Sequence, residues 1–179
     1  AMKYVINGSI ATAVTLFGMS YLYGLTGTTN LKEIGSIMDQ LLNGQFQYLF
    51  GIAFFMMMVG FSFKIAAAPF HMWAPDVYQG SPAPVTAFLS VISKTAGFII
   101  ILRMIIFLYV EAPGDAVGAF DFMEINHVYI AVLAGVTMII GNVVALRQSN
   151  MKRMLAYSSI AHAGYTLVAV ATIGYFTSS

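Results

Sequence analysis

Three cationic side chains stand inside stretches that otherwise carry almost no charge: Lys64, Lys94 and Arg103. Lys94 lies ten residues beyond Pro84, where an apolar stretch begins. On a helix that is about 15 Å, close to the middle of a hydrocarbon layer about 30 Å thick. A lysine there costs roughly 2.5–3.5 kcal/mol on insertion scales, and its four-carbon stem does not span about 15 Å to the interface. The favoured reading is a lysine in a wet, protein-lined interior, where it can take up and release a proton. Lys64 is followed by Ala66, Ala67, Ala68, Pro69 and Pro75. This is the pattern of a helix broken within the membrane, which is tolerated where the backbone lines a cavity or packs in protein. A straight helix from residue 45 would instead put Lys64 near the interface, within snorkelling reach.

His162 is flanked by Ala161, Ala163 and Gly164, with Ser158, Ser159 and Tyr165 nearby. Its imidazole suits proton exchange near neutral pH, and it suits equally a hydrogen-bonded packing role between helices. His71 and Asp76 fall in the connection after Lys64. They are candidates for the mouth of a proton-entry path, with a structural pairing at least as well supported. Arg103 lies near the far end of its helix and reads as snorkelling or paired with a loop acid, and His127 reads as an interface residue. No Asp or Glu lies in any of the apolar spans, so neither lysine has an evident carboxylate partner. Other chemistries gain nothing. There is no Cys, no G-x-S-x-G, no H-E-x-x-H and no phosphate-binding glycine loop, and three scattered His residues have no metal-ligand spacing.

The elements that must position these residues follow from composition. Of 179 residues, 59% are hydrophobic and 8% charged, too few charges for the surface of a soluble domain. The fold class expected is all-α, a polytopic bundle of five transmembrane spans with the second broken. The spans fall at about 4–25, 45–69 with a broken extension to about 78, 84–109, 127–146 and 152–175, all within a single membrane unit covering 1–179. Polar loops are expected over 26–44 and around Glu111, Asp115, Asp121 and Glu124. Alternating spans gather Lys3, the 70–83 connection, Arg147, Lys152 and Arg153 on one side. The acidic loops, with Lys32, fall on the other. The positive-inside rule makes the first side cytoplasmic, with the chain start inside and the chain end outside. Trp73, Tyr78 and Tyr157 would form the inner aromatic belt. A net charge of +1 gives no case for nucleic acid. The start at Ala1, just outside a hydrophobic helix, suggests a piece of a longer chain.

The segment from Phe63 to Phe88, FKIAAAPFHMWAPDVYQGSPAPVTAF, resembles the antiporter-like membrane subunits of respiratory complex I. The continuation LSVISKTAGF and the run NMKRMLAYSSIAHAGY from Asn150 are most similar to the N-type subunit, the counterpart of mitochondrial subunit 2. The resemblance covers essentially the whole chain. It implies about fourteen transmembrane helices in two inverted repeats, of which this chain resembles helices six to ten. It makes Lys64 the proton-channel lysine of a broken helix, Lys94 the lysine of a central hydrophilic axis and His162 the axis histidine. The glutamate partner of Lys64 would precede Ala1, and the lysine of the second half-channel would follow Ser179. The implied function is proton translocation within an NADH:quinone oxidoreductase of the bacterial inner (plasma) membrane, beside other membrane subunits. The parent complex would use NADH, FMN, iron–sulfur clusters and quinone, with no cofactor or metal in this chain. A subunit of a multisubunit sodium/proton antiporter is the nearest rival, and a structural membrane scaffold a more distant one.

Overall fold

The structure is a computed structural model that describes residues 2–42, 46–106 and 117–178, with the side chains of 38–40, 42, 47, 117–126 and 174–178 left out. Glu111, Asp115 and Tyr109 therefore lie outside the described residues, as do the side chains of Asp39, Asp121, Glu124 and Tyr175. All regular structure among the described residues is helical. In order these are α1 (Met2–Thr26), α2 (Leu31–Leu42), α3 (Gln47–Ile65), α4 (Trp73–Gly80), α5 (Ala83–Phe88), a π-helical turn (Leu89–Ser93), α6 (Lys94–Ile105), α7 (Val117–Leu146) and α8 (Met151–Ser178). Among the described residues five stretches are long and apolar enough to cross a membrane: Met2–Thr26, Tyr48–Ile65, Ala83–Ile105, His127–Leu146 and Met151–Ile173. Their outward faces carry many large apolar side chains, as lipid or neighbouring apolar helices require.

Two antiparallel pairs organise the bundle, α7 with α8 and α1 with α3. Both depend on glycines that admit no side chain. A Cβ on Gly141 would lie 2.7 Å from the Ala161 backbone nitrogen, and one on Gly164 would lie 3.0 Å from the Ala134 carbonyl oxygen. A Cβ on Gly18 would lie 2.8 Å from the Ala53 carbonyl oxygen. Small residues at such crossings let backbones approach, the usual basis of helix association in lipid.

Two segments expected as loops are helical. Residues 31–42 form α2, whose Ile34 and Leu41 enter the core beside α3 and α7. Its start is capped: the Asn30 side-chain oxygen accepts from the Lys32 N–H at 3.1 Å, while Thr28 and Asn30 both donate to the Glu33 carboxylate. The spacing of Leu31, Ile34 and Leu41 and the N-x-x-E cap are legible in the sequence, but the polarity of the segment outweighs them. Residues 117–126 extend α7 before the apolar span.

The break after α3 is built into the interior. Ala66, with φ 57° and ψ 40°, closes the helix in the left-handed region, a conformation costing an alanine roughly 1–2 kcal/mol. Its N–H donates to the Phe63 carbonyl and the Ala67 N–H to Ser62. The Phe63 carbonyl also accepts from the Trp73 indole N–H at 3.0 Å, and the Ala68 N–H donates to the Thr137 hydroxyl at 3.1 Å. Ala66, Ala67, Ala68 and Thr137 are all buried. Thr137 lies about 14 Å along α7 from its Leu146 end, so the break sits deep in the membrane. Trp73 and Tyr78 are also buried, packed with Tyr4 and Phe63 in an aromatic cluster, and do not line an interfacial belt. Their rings seal α4 beneath α1 because the short helix has no lipid-spanning length of its own.

Polar contacts fasten α4 to the ends of two spans. Asp76 pairs with Lys3 of α1 at 2.7 Å and with Arg153 of α8 at 3.2 Å. Arg153 also reaches Gln79, and Lys152 reaches the Ser81 carbonyl. Lys3, the α4 connection and the start of α8 therefore share one side of the bundle. The Lys3 hydrogen bond, with the charges of Lys3 and Arg153 added, holds the Asp76 carboxyl below its ordinary value.

Two consequences are testable in detergent-purified protein. Thr137→Val keeps the shape but leaves the buried Ala68 N–H without an acceptor, and should destabilise by about 1–3 kcal/mol, read as a lowered thermal midpoint. Asp76→Asn removes both ion pairs, worth roughly 0.2–1 kcal/mol at this exposure. Because the folded carboxyl titrates below the unfolded one, the unfolded chain takes up the proton first as pH falls. The stability difference between the native protein and the Asp76→Asn variant should therefore be full above about pH 4. It should close as the pH falls further, through the lower value of the folded carboxyl.

Candidate functional site

The two lysines flank one helix crossing. α6 meets the end of α3 at Gly97, one turn beyond Lys94. A Cβ there would lie 2.7 Å from the Ile65 side chain and 3.7 Å from Lys64 Cβ. Lys64 belongs to the last turn of α3, immediately before the break. Its side chain points away from the bundle onto an open face and makes no hydrogen bond or ion pair with a described residue. The depth of the break places it in the interior of the membrane, not at the interface.

Lys94 is buried, with 6% of its surface exposed. It follows directly on the π-helical turn at Leu89–Ser93, a wide turn of the kind that recurs at functional positions. Its Nζ donates to the Ser159 carbonyl at 2.8 Å and to Ser159 Oγ at 2.7 Å, both on α8. Ser159 lies about 12 Å from the Met151 end of α8, which sets Lys94 at mid-membrane depth. An ammonium has three donors, and neutral oxygens take two of them here. Among the described residues it has no carboxylate partner.

His162 lies one turn beyond Ser158 on α8. Its Nδ1 is 2.8 Å from the Ser158 carbonyl oxygen. A carbonyl only accepts, so Nδ1 carries the hydrogen in that bond and Nε2 is left directed elsewhere. The imidazole stands edge-on to Tyr165 at 5.6 Å, and the Tyr165 hydroxyl accepts from Asn142 of α7 at 3.0 Å. Adjacent residues of one helix thus serve two sites, Ser159 holding Lys94 and Ser158 holding His162. Lys94 is enclosed against α8, whereas the His162 side chain is exposed on the same helix, with the Ser158–Ser159 backbone between their two sites. Lysine and histidine are side-chain types able to exchange protons, and among the described residues no group of three metal-ligating side chains is found.

His71 and Asp76 are not part of that line. His71 packs against Tyr157 at 6.4 Å, its Nδ1 buried without a partner, while Asp76 is committed to Lys3 and Arg153. The residues that sequence reasoning missed are Thr137, Tyr78 and the specific pairing of Ser159. Hydroxyls signal little by themselves, since each can point to its own helix backbone, and only the tertiary fold selects among them.

Relatives carry the same architecture. Residues 1–178 match the family model described as NADH:quinone oxidoreductase/Mrp antiporter, transmembrane. The NADH-quinone oxidoreductase subunit N of Geobacillus sp. (strain WCH70) is 60% identical over 175 residues, covering 98% of this chain and 36% of that protein. A chain of respiratory complex I from Thermus thermophilus superposes with a TM-score of 0.71 at 37% identity, over 97% of this chain and 34% of that one. A chain of the Mrp complex from Dietzia sp. DQ12-45-1b shares the fold, with a TM-score of 0.77 at 22% identity over 97% of this chain and 31% of that one. The chain spans about a third of the length of the curated relatives it matches. A family model that fits this sequence from residue 1 to residue 178 establishes that the chain belongs to the NADH:quinone oxidoreductase/Mrp antiporter transmembrane family.

Proposed function

We propose that this chain is a proton-translocating part of an N-type membrane subunit of NADH:quinone oxidoreductase. The observation that carries the proposal is Lys94, an ammonium buried at mid-membrane depth and held by neutral oxygens. Such a site suits two charge states, because no anion among the described residues pins the ammonium and the same oxygens serve an amine. The relatives named NADH-quinone oxidoreductase subunit N support the redox-coupled form of the reading. Electron transfer, with NADH, FMN, iron–sulfur clusters and quinone, belongs on this reading to other subunits of the complex. The family description, which includes Mrp antiporters, keeps an antiporter subunit as a second reading, separable by whether quinone-reducing subunits copurify.

In the proposed mechanism Lys64 changes charge with the approach and retreat of a carboxylate on a segment that covers its open face. That change alters the proton occupancy of Lys94 through intervening water, and the proton continues by way of His162. Removing or adding one charge near a poorly solvated lysine is enough, since a tenfold change in proton occupancy corresponds to about 1.36 kcal/mol. Of the two proton-entry candidates, His71 keeps a free, buried ring nitrogen suited to the role. The double ion pair of Asp76 favours a fastening role. The cluster of Lys3, Arg147, Lys152 and Arg153 on one side supports a cytoplasmic chain start and an external chain end, in a bacterial inner (plasma) membrane.

The deciding experiment measures proton pumping during NADH-driven quinone reduction in inverted vesicles holding the parent complex. Lys94→Met or Lys64→Ala should depress pumping and coupled turnover several-fold while the complex stays assembled. Native pumping by an assembled Lys94→Met complex would overturn the proposal and leave the lysine a structural feature.

A further inference from the structure

The crossing of α7 and α8 gives His162 a neighbour that is itself tied to the other helix. A Cβ on Gly141 would lie 2.7 Å from the Ala161 backbone nitrogen, so the two backbones meet one residue before His162. The next residue of α7, Asn142, stands on the exposed face beside that meeting point. Its amide donates to the Tyr165 hydroxyl at 3.0 Å. Tyr165 follows His162 by three residues and so shares its helix face. The two rings stand at 82° with centroids 5.6 Å apart. The imidazole is thus held at two places, by the Ser158 carbonyl at 2.8 Å from Nδ1 and by the ring of Tyr165.

We propose that Tyr165, braced by Asn142, is a positioning residue for His162 and fixes the ring so that protons enter and leave at Nε2 alone. The proposal rests on the proton-carrying role given to His162 above. A carbonyl only accepts, so Nδ1 keeps its hydrogen on Ser158 whether the ring is neutral or charged. An arriving proton adds to the lone pair of Nε2 and departs from the same atom, with no other bond made or broken. A ring held by one hydrogen bond can leave it by turning about its side-chain torsions. Contact with Tyr165 opposes that turn, because a rotated imidazole gives up the edge-to-face geometry. The Asn142 bond in turn sets the tyrosine from the neighbouring helix.

This accounts for a tyrosine and an asparagine placed together on an outward face of two spans. Either polar group alone would lack a partner in hydrocarbon. Paired with each other across the crossing, they hold the imidazole from the side and leave Nε2 free.

The test compares Tyr165→Leu, Tyr165→Phe, Asn142→Ala, His162→Gln and the double His162→Gln/Tyr165→Leu in the assembled complex. Pumping in inverted vesicles is scored against NADH oxidation by an artificial acceptor, which reports the redox arm alone. His162→Gln keeps hydrogen bonding without exchanging a proton and should lower pumping several-fold. Tyr165→Leu should also lower it several-fold, with acceptor activity and thermal midpoint unchanged. Tyr165→Phe, which keeps the ring and loses only the bond to Asn142, should recover most of the pumping, and Asn142→Ala should match it. The double variant should be no worse than His162→Gln, because Tyr165 acts through the histidine. Full pumping in Tyr165→Leu alongside loss in His162→Gln would overturn the positioning role and leave the histidine standing. Additive losses in the double variant, or equal losses in Tyr165→Leu and Tyr165→Phe, would show that the ring does not act through His162 and would also overturn it. Full pumping in His162→Gln would remove the reading on which the positioning rests.

Discussion

A helix cannot stop inside a membrane unless the backbone groups it frees find partners, and the rest of this structure follows from how that requirement is met after Ile65. The Phe63 carbonyl receives the Trp73 indole and the Ala66 N–H, and the Ala68 N–H reaches Thr137 on α7. Each unpaired group in hydrocarbon would cost several kcal/mol, so these three bonds decide whether the turn exists. With the turn in place, Lys64 ends a helix at depth, and α4 returns as a short helix below it. Tyr78 and Asp76 then come within reach of α8. Without it, α3 would run straight to the interface and the site would not assemble.

The electrostatics of the two lysines differ in kind. Lys94 is enclosed, with two of its three donors on oxygens of Ser159, while Lys64 faces outward from this bundle. An enclosed ammonium on neutral acceptors and an outward one awaiting a counter-charge answer differently to the same event. On the proposed function the outward one would sense what approaches the bundle, and the enclosed one would respond to it. That would be a division between a trigger and a carrier. The glycine at position 97 keeps the two at one crossing, because any side chain there would strike Ile65.

Much of this was readable from residue types. Five apolar runs, the prolines and alanines after Lys64 and the depth of Lys94 follow from length and insertion cost alone, and the five spanning helices appear where those runs stand. The polarity of residues 31–42 hid α2, although Asn30, Glu33 and the spacing of Ile34 and Leu41 announce a capped amphipathic helix. The π-helical turn before Lys94 left no trace, since residues 89–93 contain neither Gly nor Pro. Trp73 and Tyr78 match the composition of an interfacial belt, and only tertiary packing shows them enclosed. The partner of Lys94 was equally hidden, because Ser158 and Ser159 are alike as residues and the rotation of α8 alone selects which of them faces α6.

At Gly141 and Gly164 the backbones of α7 and α8 come so close that no side chain fits between them, a contact that sliding or rotation of either helix would break up. Two helices meshed in this way behave as a stator. Whatever work passes through Ser159 and His162 would, on the proposed function, be carried by side-chain and water motions, faster than shifts of whole helices. Slower helix shifts, on the scale of microseconds to milliseconds, have to occur elsewhere, at the open face beside Lys64. The gearing of such a device would place its slow step at the rim and its fast steps at the axle.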